Sequence, residues 1–174
     1  MPIHGGILDL CGAIDLAANH NRVGIDTNSG YARALRVYLQ HQFPKAQDYQ
    51  QLVWVMAGAT NLRYEKLRDG EIDATLLNPP YSYMPSISQI GSLTAVIGDY
   101  QGLVANLNKS RLAKPAHKHL LEQFIENYHK TVNSMKHNPK ATIKKLAGFY
   151  QLTNETATSV FHRLLQKDGL DTQL

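Results

Sequence analysis

Between Val23 and Pro80 the chain alternates short β-like runs with helical patterns, and this alternation constrains the fold more than any other feature. Val23-Gly24-Ile25-Asp26 and Asp73-Ala74-Thr75-Leu76-Leu77-Asn78-Pro79-Pro80 bracket an amphipathic helix, a further strand and a second helix. Strands alternating with helices predict an α/β lobe with a mostly parallel sheet flanked by helices. The runs are followed at once by Thr27-Asn28-Ser29-Gly30, by Ala57-Gly58-Ala59-Thr60 and by Asn78-Pro79-Pro80. In a parallel sheet these junctions meet at one edge, where they gather hydroxyls, amides and open backbone N–H groups. The pattern reads as a binding edge and nominates no nucleophile.

Within Tyr31 to Phe43, Ala34, Leu35, Tyr38 and Leu39 recur at three- and four-residue steps and predict a helix packed on the sheet. Leu52-Val53-Trp54-Val55-Met56 is nearly continuous in apolar residues and predicts a central strand buried on both faces. Asn61 to Asp69 predicts a short charged helix closed by Gly70, and Ile72 to Leu77 the next strand. Two prolines then force the chain out of the ladder. A short helix is expected over Pro85–Ile90, and strands over Leu93–Ile97 and Leu103–Leu107. Residues 1–21 carry little pattern beyond a turn that Asp15 would cap through Leu16, Ala17 and Ala18.

From Pro115 the character is helical. Leu120, Leu121, Phe124, Ile125 and Tyr128 form one stripe, Ile143, Leu146 and Ala147 a second. Val160, Phe161, Leu164 and Leu165 form a third, on a helix opened by Thr153-Asn154-Glu155. The organisation expected is therefore an α/β lobe over 1–110 followed by C-terminal helices over 111–174.

At 174 residues, 43% hydrophobic and 18% charged, the chain has enough apolar material for one core and is unlike a disordered segment. The formal net charge of +4 is scattered along helix faces such as Arg33 with Arg36 and Lys144-Lys145, which argues against a nucleic-acid partner. One cysteine, Cys11, leaves no pair for a disulfide or a redox motif. The eight histidines are dispersed, His117 and His119 point to different helix faces, and no metal or other cofactor is expected. No apolar run approaches a membrane span, and the first residues are a poor signal peptide. Asp9 also interrupts the apolar stretch that a lipid-attachment site at Cys11 would need.

The best-placed ligand groups are at the strand ends. Thr27 and Ser29 offer hydroxyls at a helix start, where free N–H groups and the helix dipole favour negative charge; a capping role suits the same residues. Thr60 stands at the second junction. Asn78 is held by the prolines, with Tyr81 or Tyr83 as an aromatic wall, and Tyr100 and Gln101 lie in a later turn.

The order V-G-I-D-T-N-S-G-Y-A-R-A-L, then A-G-A-T-N-L-R-Y-E-K-L-R-D-G-E-I-D-A-T-L-L-N-P-P, then G-D-Y-Q-G-L-V-A-N resembles the solute-binding proteins of ABC importers for nitrate, sulfonates and taurine. The similarity runs from about Asp15 to the C-terminus. It implies a periplasmic-binding-protein-like fold, a small-molecule ligand held in a cleft between two lobes, and delivery to an ABC permease. Carried over by position, it makes Ser29, Gly30, Thr60 and Asn78 ligand contacts, with Tyr31, Gly58 and Tyr100 beside them. Members of the family are longer and begin with a βαβ portion of the first lobe, so this sequence matches a second lobe plus the C-terminal helices. The expected corollary is that the helical stripes bury themselves on the remaining domain or on another copy of the chain. The family is exported, whereas the sequence carries no export signal, so a cytoplasmic location stays open. Two other readings also stay open. One is an enzyme like the related pyrimidine-precursor synthases, whose cysteine-rich, iron-associated motif Cys11 alone does not reproduce; the other is a fold kept as an interaction or regulatory domain.

Overall fold

Strand ends govern this molecule, and the sheet that sets them is short-stranded. The computed structural model describes residues 2–14, 20–28, 30–43, 51–98, 101–104, 106–166 and 169–170. The chain divides into two units, Gly6–Tyr100 and Met1–Gly5 with Gln101–Leu174. Its strands are Pro2–Gly5 (β1), Asp9–Gly12 (β2), Arg22–Ile25 (β3), Val53–Met56 (β4), Ala74–Leu77 (β5), Gln89–Ser92 (β6) and Gln101–Val104 (β7).

In Gly6–Tyr100 five strands form one mixed sheet in the order β4-β3-β5-β2-β6. β3 pairs in parallel with both β4 and β5, while β2 runs antiparallel to β5 and β6. The parallel core thus brings the C-terminal ends of β3, β4 and β5 to one edge, as the alternating sequence pattern requires. Helix Gly30–Gln42 (α1) follows β3, helix Thr60–Arg68 (α2) follows β4, and the short helix Leu93–Ile97 (α3) follows β6. Ala34, Leu35, Tyr38 and Leu39 of α1 are buried with Leu8, Leu10, Val23, Leu52, Ala74, Leu76 and Leu93 in one core. Each leucine removed from water there contributes about 1.5–3 kcal/mol. α2 ends in a left-handed Gly70 (φ 70°), with Gly70 N donating to Leu67 O and Glu71 N to Lys66 O. That is the glycine-closed helix end expected from the sequence.

Three local expectations are corrected. The apolar run at Leu52–Met56 forms an edge strand, pairing with β3 alone, and Val53 and Met56 are exposed. Hydrophobicity cannot tell an edge from a centre when one residue, Trp54, is covered by a cation: Arg36 Cζ lies 4.6 Å from its ring centroid. The central place is taken by β5, and β2, a strand from the weakly patterned N-terminal stretch, lies inside the sheet beside it with its Cys11 fully buried. Leu93–Ile97 is helical, because a short, mostly apolar run suits either state and Gly98 (φ 77°) closes it as a turn. Pro85–Ile90 is not a helix; a 3₁₀ turn forms earlier, at Tyr81–Tyr83, and β6 begins at Gln89. The turn expected at Asp15 to Ala18 lies outside the described residues.

In the other unit β1 and β7 form an antiparallel pair, so the strand expected at Leu103 begins two residues earlier. Helices Lys109–Leu112 (α4), Pro115–His137 (α5), Pro139–Tyr150 (α6) and Asn154–Leu164 (α7) follow. Pro115 and Pro139 occupy the first positions of α5 and α6, where a missing N–H costs nothing. Thr153 caps α7 by accepting from Thr156 N at 3.1 Å. Val132, Ala157, Val160 and Phe161 are buried, whereas Leu120 (60%), Phe124 (51%) and Phe149 (80%) remain exposed. No helix of the described residues is long and apolar enough to cross a membrane.

At the N-terminal ends of the parallel strands, Arg22 donates through its backbone N (2.6 Å), Nε (3.2 Å) and Nη2 (2.7 Å) to the Asp73 carboxylate. Asp73 N in turn donates to Arg22 O at 2.8 Å. These bonds hold the Asp73 carboxyl below the usual carboxylate range, chiefly through the Arg22 side chain. A carboxyl depressed in the folded state contributes stability above its unfolded pKa and loses it as pH falls through the folded value. Asp73→Asn should therefore lower the thermal midpoint at pH 7. The gap from wild type should begin to shrink below about pH 4, the unfolded carboxylate value, and close only as pH falls through the lower folded value. Circular dichroism melts across that range check this, and a gap independent of pH contradicts it.

Candidate functional site

One arginine ties the turn after β4 and the start of α2 to β5. Arg63 lies in the first turn of α2, three residues after Thr60, and is 2% exposed. Its Nη1 donates to Gly58 O at 2.6 Å, its Nε to Leu76 O at 3.1 Å, and its Nη2 to Thr60 Oγ1 at 3.2 Å. The turn after β4, the start of α2 and the last part of β5 are therefore held by a single planar group. Ala57 N donates to Ile25 O at 2.8 Å, which fastens the end of β4 to the end of β3.

Thr60 does not cap its helix. Ala59 is the N-cap and makes no side-chain capping bond. The Thr60 hydroxyl instead donates across the edge to Asn78 Oδ1 at 2.9 Å. Asn78 thus has its carbonyl engaged by a side chain, rather than by turn backbone groups, while its own backbone O accepts from Ser82 N at 3.4 Å. The Pro79-Pro80 peptide that follows is cis.

A cavity of about 10 Å³, near the size of one water, lies between β3, α1 and α2 and is lined by Asp26, Tyr31, Ala32, Arg63 and Leu76 among others. Burial pushes the Tyr31 phenol up, Asp26 adds to that, and Arg63 opposes it. Burial also lowers the Arg63 pKa, which Asp26 and Tyr31 partly restore. A guanidinium stays charged through such a shift, so the edge carries a buried positive charge with Asp26 as its electrostatic counterweight.

Of the residues nominated from sequence, the structure brings Thr60 and Asn78 into direct contact and joins Gly58 to them through Arg63. Tyr31 shares the small cavity with Arg63. Gly30 opens α1 with φ 38° and open space where a Cβ would stand. Thr27 N is held by Asp26 Oδ1 at 2.7 Å, and Asn28 Oδ1 accepts from Arg36 Nη2 at 3.5 Å. Ser29 and Tyr100 lie outside the described residues. Tyr81 stacks at a tilt on Tyr64, with centroids 5.4 Å apart.

Arg63 and Asp26 were not singled out from sequence. Arg63 read as one charge of a solvated helix, yet it stands three residues after Thr60 and four before Leu67, on the inward stripe. Cys11 sits inside the sheet, its thiol pushed up to about 12 by burial and then by Asp9, so it stays protonated and inert. Among the described residues no group of three His, Cys, Asp or Glu is placed to hold a metal ion.

A second concavity, an open groove of about 700 Å³ between α5 and α6, is lined by Lys130, Met135, Lys145, Leu146 and Phe149 among others. Its Thr131 and Thr142 hydroxyls fold back onto helix carbonyls, and Lys130 pairs with Glu126. The Thr142 hydroxyl also lies 3.4 Å from Met135 O of α5.

The fold is similar to part of the fold of solved solute-binding components of ABC-type importers. It matches the alkanesulfonate-binding protein SsuA of Xanthomonas axonopodis pv. citri bound to MOPS with a TM-score of 0.65 at 12% identity, over 93% of this chain and 59% of that one. A ligand-binding component of an ABC-type import system from Staphylococcus aureus with zinc bound matches at 0.63 and 14% identity, over 91% and 56%. The periplasmic aliphatic sulphonate-binding protein SsuA of Escherichia coli matches at 0.59 and 11%, over 93% and 55%. The chain therefore spans less than two thirds of the length of each of these three structures. No protein-family model matches the sequence, and no curated protein does.

Gly58 has φ 78°, and a Cβ there would stand 3.1 Å from Leu62 Cδ1. Gly58→Ala should cost about 1–2 kcal/mol through the left-handed backbone. Urea unfolding measures it, and a neutral substitution would contradict the turn geometry.

Proposed function

We propose that the chain is a small-molecule-binding component of an ABC-type importer of the nitrate, sulfonate and taurine kind, with no catalytic role. Its solute, a small anion or polar organic compound, is taken at the shared C-terminal edge of β3, β4 and β5. Ser29, Gly30, Tyr31, Gly58, Thr60, Asn78 and Tyr100 are its contact residues, and an ABC permease receives the solute. The observation that carries this reading is the Arg63–Thr60–Asn78 network, a buried cation whose hydrogen bonds run between elements to a polar group at the strand ends. The likeness in fold to sulfonate-binding proteins supports it. So does the inert Cys11 thiol, which removes the one cysteine an iron-dependent enzyme of this fold would draw on. On this reading the protein works outside the cytoplasm, and the α/β lobe, 1–110 by the sequence division, holds the solute. The helices over 111–174 offer a surface to another part of the binding protein.

Isothermal titration against nitrate, bicarbonate, a series of alkanesulfonates and pyrimidines tests the proposal. Heat is expected with at least one anion, and Asn78→Ala should weaken it by about tenfold or more, the scale of one lost charge-assisted hydrogen bond. No heat from any member overturns the binding reading.

The exposed Leu120 and Phe124 on α5 support a second copy of the chain as a further partner. Light scattering after size exclusion should then show a mass that rises with concentration. A strict monomer over a wide range overturns the self-association.

A further inference from the structure

The hydrogen bonds at the strand ends have a direction, and that direction has one source. A guanidinium donates and cannot accept, so Thr60 Oγ1 must act as acceptor toward Arg63 Nη2 at 3.2 Å. The threonine hydroxyl proton is then free to go elsewhere, and it goes to Asn78 Oδ1 at 2.9 Å. An asparagine side chain has one acceptor end and one donor end. With its acceptor end fixed by Thr60, the Nδ2 end is left as the group that Asn78 offers beyond the network.

We infer that Arg63 is a positioning residue for the site: acting through the Thr60 hydroxyl, it fixes the Asn78 amide so that N–H donors, not the carbonyl, meet the solute. The inference rests on the proposed solute site and adds to it a residue that never touches the solute. Three features of Arg63 carry it. The side chain is 98% buried, since 2% is exposed, and cannot itself be a surface contact. Its acceptors are neutral, Gly58 O, Leu76 O and Thr60 Oγ1, so its donors are used for orientation rather than for an ion pair. Those acceptors belong to two segments, the Gly58–Thr60 junction and β5, so rotation of the amide is resisted by the fold itself. Without Arg63 the Thr60 hydroxyl could accept from Asn78 Nδ2 instead, and the amide could turn over. A solute group that accepts hydrogen bonds, such as an oxyanion, would then face a carbonyl.

The test begins without any solute. In ligand-free protein, NMR hydrogen exchange of the Asn78 Nδ2 protons should be near the rate of an open side-chain amide. Conservative Thr60→Ser keeps the hydroxyl relay and should leave that rate unchanged. Arg63→Lys keeps the charge but lacks the planar fork, and should slow the Nδ2 exchange severalfold as the amide turns toward Thr60. Thr60→Val removes the relay while leaving Arg63 in place, which keeps the test open if the Arg63 variant does not fold. With ethanesulfonate as probe, Arg63→Lys and Thr60→Val should each weaken binding about tenfold. Slow Nδ2 exchange in the ligand-free wild type overturns the inference, and so does equal probe binding by wild type and Thr60→Val. If ethanesulfonate does not bind the wild type but Nδ2 exchange behaves as expected, the solute reading fails on that probe and the positioning role stands.

Discussion

The guanidinium of Arg63 is the interaction on which the rest of the C-terminal strand edge, the proposed solute site, depends. The junction that opens α2, at Gly58 and Thr60, meets β5 at Leu76 through the Arg63 nitrogens. A buried charge of this kind would be costly alone. Its nitrogens are spent on two backbone carbonyls and a hydroxyl, and Asp26 and Tyr31 favour the charged form from across a cavity the size of a water. Removing the side chain would leave each of those carbonyls without its donor, at about 1–3 kcal/mol apiece. The arrangement therefore couples the stability of the parallel core to the geometry of the edge.

That coupling explains why the two ends of the parallel strands differ in character. At the N-terminal end, Arg22 and Asp73 neutralise each other through a paired, partly exposed ion pair that joins β3 to β5. At the C-terminal end the cation is buried and its hydrogen bonds go to neutral groups. The first arrangement closes a structural seam. The second keeps positive charge beneath a surface that presents an amide, a hydroxyl and a left-handed glycine turn, the groups the proposed solute site would use.

Much of this was legible in the sequence where local pattern and fold agree. The stripe Ala34, Leu35, Tyr38 and Leu39 became the buried face of α1, and Gly70 closed α2 as its position promised. Strand order was not legible, because an apolar run such as Leu52–Met56 looks the same at an edge as at a centre, and β2 carries an aspartate that masks its place inside the sheet. Thr60 and Asn78 could be named from strand ends, but their contact depends on Arg63, which a charge-based reading assigns to solvent. Only the spacing from Thr60 to Arg63 to Leu67 hinted that this arginine faces inward.

The central claim is that solute is held at the edge organised by Arg63, not in the groove between α5 and α6. Backbone amide chemical-shift mapping during titration of an alkanesulfonate decides between them. The account predicts perturbations clustered at Gly30, Tyr31, Gly58 to Thr60 and Asn78, saturating with one affinity. Perturbations confined to residues such as Lys130, Met135, Leu146 and Phe149 would contradict it.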